Sequence, residues 1–252
     1  MKFHVVTLFP EMFDSYLKES ILGRAIKEKK ISVSFVNPRK YVSGKYKKIW
    51  PDGNISQQID ERPYGGGPGM VMMAEPIIKA VENIIKKIIH PTLQAPLKRG
   101  INSKILFINF VPSAEKFTTT LAKNFTKKYT DIIMICGRYE GVDARVDKIF
   151  HAYGRSAEGR KNFHYMKISI GDYVLTGGEI PAMVLIDSIS RQVSGVLGNF
   201  DSREEERVSS SEIYTRPEVL IHNNKKYKVP AVLLSGNHKN IEEWKNLTKR
   251  TK

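Results

Sequence analysis

The sequence holds one cysteine, Cys136, which excludes an internal disulfide framework and fits a reducing compartment. Its six histidines stand at 4, 90, 151, 164, 222 and 238, and none falls in a Cys/His spacing that would build a zinc site. No apolar run approaches the roughly 20 residues of a membrane span. The opening Met1-Lys-Phe-His-Val-Val-Thr-Leu-Phe-Pro10 has too short an apolar run for a signal peptide and reads as a first strand. Acid is scarce as well: 26 Asp and Glu stand against 41 Lys and Arg, a net charge of +15. These absences argue against secreted disulfide scaffolds, membrane proteins and protein-held metal centres. They leave a cytoplasmic chain of 252 residues, one large domain or two smaller ones. The excess of positive charge favours a polyanionic partner, nucleic acid first. The competing explanation is A/T-rich coding, which inflates Lys, Ile and Asn without any functional demand.

What is present is an alternation of strand and helix patterns. Residues 2–8 read as a buried strand, 11–29 as one amphipathic helix, and 31–36 as a second strand. Residues 50–58 read as a solvated insertion and 76–89 as a helix. Residues 105–111 read as a strand stopped by Pro112, and 114–129 as a helix. Asp131-Ile-Ile-Met-Ile-Cys136 is apolar almost throughout, as in a strand covered on both faces. The class is therefore α/β with a mostly parallel sheet. Residues 150–167 read as a mobile basic loop, 198–212 as a polar, acidic linker, and 213–252 as a small helical module.

Three glycine-bearing stretches carry the chemistry. Arg62-Pro-Tyr-Gly-Gly-Gly-Pro-Gly-Met70 is too rich in Gly and Pro for helix or ordinary strand. It builds an open-backbone nest beside Arg62 and Tyr64, suited to an anion or a nucleotide; a tight structural turn is the alternative. It is no Walker loop, because no Lys-Ser/Thr follows. Gly137-Arg-Tyr-Glu-Gly141 follows the apolar strand, at the end where α/β proteins bind ligands. Ile168-Ser-Ile-Gly-Asp-Tyr-Val-Leu-Thr-Gly-Gly-Glu179 runs from strand through loop into an apolar helix opened by Pro181.

These stretches occur in order with Ile186-Asp-Ser188, Gly195-Val-Leu-Gly198, Tyr214-Thr-Arg-Pro-Glu-Val219 and Leu233-Leu-Ser-Gly-Asn-His238. Together they resemble the TrmD family, tRNA guanine-N1 methyltransferases of the SPOUT superfamily. The resemblance implies a homodimer with a deep trefoil knot in residues 1–197. It implies S-adenosylmethionine as methyl donor, tRNA as partner, and methylation of guanosine-37, next to the anticodon. The site would be shared between subunits. Cofactor residues carried over by position are Asn109, Phe110, Pro112, Gly137, Tyr139, Glu140, Gly141, Ser169, Ile170, Gly171, Tyr173, Leu175, Gly177 and Gly178. Those carried over to tRNA are Arg62, Tyr64, Gly66, Arg138 and Arg216. Arg191 matches the guanine-polarising arginine; an i,i+4 ion pair with Asp187 is its alternative role. Glu206 falls where the family has an aspartate base, with Asp201, Glu204 and Glu205 as competitors. A second reading is a tRNA-binding paralogue without turnover. Magnesium dependence is implied too, with no protein metal site. The chain departs from the family at Phe110-Val-Pro-Ser-Ala114, where a Ser-Pro-Gln-Gly sequence is usual.

Overall fold

A computed structural model describes residues 1–89, 103–154, 162–197 and 212–248. In chain order its strands and helices begin with β1 (Lys2–Val6), α1 (Asp14–Leu17), α2 (Ser20–Lys27), β2 (Ser32–Val36), β3 (Lys47–Ile49) and β4 (Ile55–Gln57). Next come β5 (Asp60–Glu61), β6 (Val71–Met72), α3 (Ala74–Ile89), β7 (Ile105–Lys116), α4 (Thr119–Lys128) and β8 (Asp131–Ile135). The last are α5 (Arg145–Tyr153), β9 (Phe163–Ser169), α6 (Glu179–Ser190), β10 (Val219–His222), β11 (Lys225–Lys228), α7 (Ala231–Leu234) and α8 (His238–Leu247). The chain divides into two compact units, Met1–Gly198 and Asn199–Lys252.

The first unit is built on a five-stranded sheet in the order β2-β1-β8-β7-β9, every pairing parallel. Side chains alternate across each strand, so one face is filled by Phe3, Val5, Ile132 and Met134 with residues of α2, α4 and α6. The other is filled by Phe107, Ile133 and Ile135 with residues of α3 and α5. A sheet covered on both faces explains why β8 is buried at every position.

Several sequence expectations change. The helix expected over 11–29 is broken: Ser20 takes a left-handed φ of 51°, and α2 starts there. Gly23 makes the break possible, since a Cβ there would lie 2.3 Å from the Lys18 carbonyl oxygen. β7 does not stop at Pro112. Phe110 and Glu115 both lie opposite Ile168, so the intervening residues bulge out and the missing proline N–H costs no ladder bond. The same strand takes residues 114–116 from the expected helix. Within 150–167, helix α5 continues to Tyr153 and β9 starts at Phe163, where a basic loop was expected. Residues 50–58, read as a solvated insertion, are exposed except for the half-buried Gln57, and they form the turn and second strand of a hairpin.

The second unit is not purely helical. β10 and β11 form an antiparallel hairpin whose turn places Asn223 and Asn224 at φ 50° and 58°. Asparagine tolerates this left-handed turn, and the Asn-Asn pair was the available signal for it. Helix α8 follows, capped by Asn237, whose side chain accepts the Asn240 N–H.

Candidate active site

At the carboxyl ends of β7, β8 and β9 lies a cavity of about 220 Å³. Three stretches wall it: the bulge within β7 and the loops that follow β8 and β9. The first brings Phe110 and Pro112, the second Gly137, Tyr139, Glu140 and Gly141. The third brings Ser169, Ile170, Gly171, Tyr173, Leu175, Gly177 and Gly178. Val111, Ile168, Val174, Thr176 and Pro181, which lie in or beside the same stretches, complete the wall. Glu140 is the one charged side chain of the wall; the rest are apolar residues, glycines and the hydroxyl-bearing Tyr139, Ser169, Tyr173 and Thr176.

Asn109 does not line the cavity. It is buried behind it, where its amide donates to Asp147 of α5 at 2.8 Å. Lys167 also pairs with Asp147, at 2.7 Å. The two bonds hold β7 and β9 to the helix beneath them.

Glycine is required where the loops meet. A Cβ on Gly178 would lie 2.5 Å from the Cys136 Cα and 3.0 Å from the Gly137 nitrogen. That close approach lets the Gly178 N–H donate to the Gly137 carbonyl at 2.9 Å. The chain thus returns from edge strand β9, across the end of β7, to the end of β8. The loop is also laced internally: Ser169 Oγ donates to the Gly171 carbonyl at 3.0 Å, and Tyr173 donates to the Ile170 carbonyl at 3.2 Å. Asp172 is held by Lys116 at the end of β7.

Below the cavity is a buried ionic network that the sequence did not reveal. Glu179 is 1% exposed and accepts from Thr7 Oγ1 at 2.8 Å. The Arg138 Nε stands 3.1 Å from its other oxygen. The Arg138 guanidinium lies 4.6 Å from the Phe9 ring centroid, and Nη1 reaches the Thr176 carbonyl at 3.4 Å. Arg138, expected to face RNA, is partly buried: its Nε stands beside Glu179, where a buried carboxylate without a cation would be costly, while its Nη atoms lie at the surface. Burial, then the nearby Glu179 charge, push the Cys136 thiol well above its usual range, which leaves it an inert core thiol.

The Arg62–Met70 stretch forms the loop between β5 and β6. Gly65, Gly66, Gly67 and Gly69 all have left-handed φ, between 81° and 107°. The loop docks on the second cavity loop: the Glu140 N–H donates to Met70 at 3.0 Å and the Met72 N–H to Gly141 at 2.9 Å. A Cβ on Gly69 would collide with the Glu140 side chain at 2.6 Å. Arg62 and Gly66 are exposed, and Tyr64 is fully so. Two stretches expected to serve different ligands are therefore neighbours.

Arg191 does not line the 220 Å³ cavity. It caps α6 at its C-terminal end and lines a more open depression of about 450 Å³ with Tyr16, Ile180, Met183, Val184, Asp187 and Ser188. The Tyr16 hydroxyl donates a hydrogen bond to the Asp187 carboxylate, which raises the Tyr16 pKa to about 12. Arg216 is exposed in the second unit. Glu206, with Asp201, Glu204 and Glu205, lies outside the described residues. Among the described residues, no group of three or more His, Cys, Asp or Glu is placed to hold a metal ion. Also among them, no helix is long and apolar enough to cross a membrane.

A parallel sheet with a glycine-walled, largely apolar cavity at its carboxyl edge defines an α/β protein built to hold a flat small molecule against backbone. The chain belongs to the tRNA (Guanine-1)-methyltransferase TrmD family, whose model matches residues 1–252. Among similar proteins, one from Clostridioides difficile is 39% identical over 249 residues, covering 97% of this chain and 90% of its own. One from Ruminiclostridium cellulolyticum is 40% identical over 250 residues, covering 97% and 89%. One from Carboxydothermus hydrogenoformans is 41% identical over 249 residues, covering 97% and 81%. Each bears the name tRNA (guanine-N(1)-)-methyltransferase.

Proposed function

We propose that this chain is a tRNA (guanine-N(1)-)-methyltransferase that methylates N1 of the guanosine immediately 3′ of the anticodon. The observation carrying this reading is the cavity in which loops from β7, β8 and β9 converge. Its residues suit S-adenosylmethionine. Ile170, Leu175 and Pro181 offer apolar surface to an adenine, and Gly137, Gly141, Gly177 and Gly178 let backbone approach it. Glu140 offers the one carboxylate of the wall to a cationic centre. When bound, that cofactor supplies a methyl group already activated on a sulfonium.

The protein's own tasks are alignment and proton removal. Arg191 polarises the guanine ring, and Glu206 accepts the N1 proton, with Asp201, Glu204 and Glu205 as the competing bases. Arg62, Tyr64 and Gly66 meet the tRNA from the loop beside Glu140, and Arg216 meets it from residues 213–252. Residues 1–197 form the catalytic domain, and its trefoil knot is supported by the return of the 170–178 loop past β7 to the end of β8. Residues 198–212 form the linker to the tRNA-binding module. The active enzyme is a cytoplasmic homodimer. Its partner surface is the outer face of α6, where Ile180 and Val184 are 46% and 41% exposed beside Arg191. On this reading Arg191 stands at the junction of two copies. Turnover depends on magnesium that is not held by a protein metal site.

The test is methyl transfer from labelled cofactor into tRNA transcripts carrying guanosine or adenosine at the target position. The expected result is label in the first only, and a loss of about 100-fold or more in kcat for Arg191→Ala. No label in either transcript would make the chain a tRNA-binding paralogue. Full activity in both Glu206→Ala and Glu205→Ala would remove those two carboxylates as base.

A further inference from the structure

The hairpin of β3 and β4 lies outside everything assigned above. Its stem is planted in the protein. Tyr46 packs partly buried against the α3-side core, the Gln58 N–H donates to the Tyr46 carbonyl at 3.0 Å, and Ile59 is 1% exposed. Its tip is bare. Ile49 and Ile55 are register partners, so their side chains share one face, at 68% and 56% exposure. Trp50 follows at the turn, 54% exposed. The turn is closed by the Trp50 N–H to the Asn54 carbonyl at 2.8 Å and the Gly53 N–H to the Trp50 carbonyl at 2.9 Å. Asp52 accepts both the Asn54 backbone N–H and its side-chain amide, at 3.0 and 2.8 Å. Lys47 and Lys48 point to opposite faces of β3 and Lys45 precedes it, all exposed.

A rigid stem carrying an uncovered indole, two isoleucines and three lysines is not an ordinary solvated loop. Charge decides the occupant. A second copy docking tip to tip would set these lysines against their own copies, whereas a nucleic-acid strand brings phosphates to them. An indole is a stacking platform for an unpaired base, and single-stranded RNA loops present such bases. The hairpin also leads through Gln58 and Ile59 directly into β5, at the base of the Arg62–Met70 loop.

We propose that the β3–β4 hairpin is a second RNA-contacting arm: Trp50 stacks on an unpaired base of the bound tRNA while Lys45, Lys47 and Lys48 contact flanking phosphates. This rests on the tRNA reading above. The experiment measures tRNA affinity by anisotropy over a salt series for wild type, Trp50→Ala, Trp50→Phe and the double variant Lys47→Gln/Lys48→Gln. Quenching of Trp50 fluorescence by tRNA is read in a Trp244→Phe background, since the chain has two tryptophans. Trp50→Ala is expected to weaken binding about ten-fold, as loss of one base stack does, with Trp50→Phe retaining most of it. It should raise KM for tRNA and leave kcat unchanged. The double lysine variant should flatten the plot of log K against log salt by about 1.4, roughly 0.7 per single-strand phosphate lost. Unchanged affinity with no quenching, in an enzyme that still binds and methylates tRNA, overturns this inference alone. So does a Trp50→Ala protein that dissociates into monomers at unchanged tRNA affinity, which would make the occupant a second copy. A wild type that binds no tRNA removes both readings.

Discussion

Gly178→Ala is the sharpest probe of how the cavity is held together. Gly178 has φ −83° and ψ −2°, a conformation any residue adopts, so the substitution carries no intrinsic backbone strain. Its whole effect is steric. The added methyl carbon would stand 2.5 Å from the Cys136 Cα and 3.0 Å from the Gly137 nitrogen, both backbone atoms that no rotamer change moves aside. Either α6 or the end of β8 must shift. Such overpacking costs about 1–3 kcal/mol. The shift also breaks the bond from the Gly178 N–H to the Gly137 carbonyl, about 1 kcal/mol more. The sum, about 2–4 kcal/mol, lowers the melting temperature by roughly 4–16 °C at this chain length. The matched control is Gly137→Ala, whose Cβ meets only a Val142 methyl, at 3.3 Å. It is expected to cost under about 1 kcal/mol. Scanning fluorimetry gives both melting temperatures, and calorimetric titration with S-adenosylmethionine gives the affinity. A Gly178→Ala protein that melts with wild type and binds the cofactor equally well refutes the steric argument.

Glu179→Gln removes the anion beside Arg138, whose side chain is only 19% exposed, and is expected to cost about 2–4 kcal/mol in urea unfolding. Adding Arg138→Gln should recover part of that loss, a coupling read from the double-mutant cycle. At Asp131, burial alone would raise the pKa, but hydrogen bonds from His4 and Thr130 outweigh it and hold the carboxyl below its ordinary 3.8. Its contribution to stability is therefore complete above the unfolded value and is lost as pH falls through the lower folded one. Asp131→Asn should flatten the acid limb of a stability-against-pH curve below about pH 4 while lowering stability at neutrality. Val184→Glu, on the outer face of α6, should convert the proposed dimer to monomer in sedimentation velocity and abolish methyl transfer; an unchanged sedimentation coefficient would place the interface elsewhere.

The central strands were legible because 131–136 is an almost continuous apolar run, as in a doubly covered sheet, and 2–8 carries Phe3, Val5, Val6 and Leu8. The three cavity loops were legible from glycine at strand ends and from family motifs. β9 was not, because an edge strand carrying the exposed His164 and Lys167 looks like loop in composition. Nor was the Glu179 network. Its members Thr7, Arg138 and Glu179 are brought together by the parallel order β1-β8-β7, which no local pattern encodes. The break at Ser20 was hidden by a hydrophobic spacing that continues in phase across it. The pairing of Arg138 with Glu179 had no sequence signal, since a guanidinium beside glycine reads equally as a contact for phosphate or for a buried acid.

The cavity walls come from three separate stretches of chain, the bulge of β7 and the loops after β8 and β9. A small molecule seated among them acts as a removable cross-link. A ligand bound only by the folded state adds RT ln(1 + [L]/Kd), about 2.7 kcal/mol at a hundredfold excess over Kd. On the proposed function, that ligand is the cell's general methyl donor. When the donor runs short, the chain loses this support and a larger fraction opens to proteases. Abundance of the enzyme then falls together with its substrate, so methylation declines more steeply than cofactor occupancy alone dictates. A pulse-chase half-life that is the same in methionine-replete and methionine-limited cells would contradict this coupling.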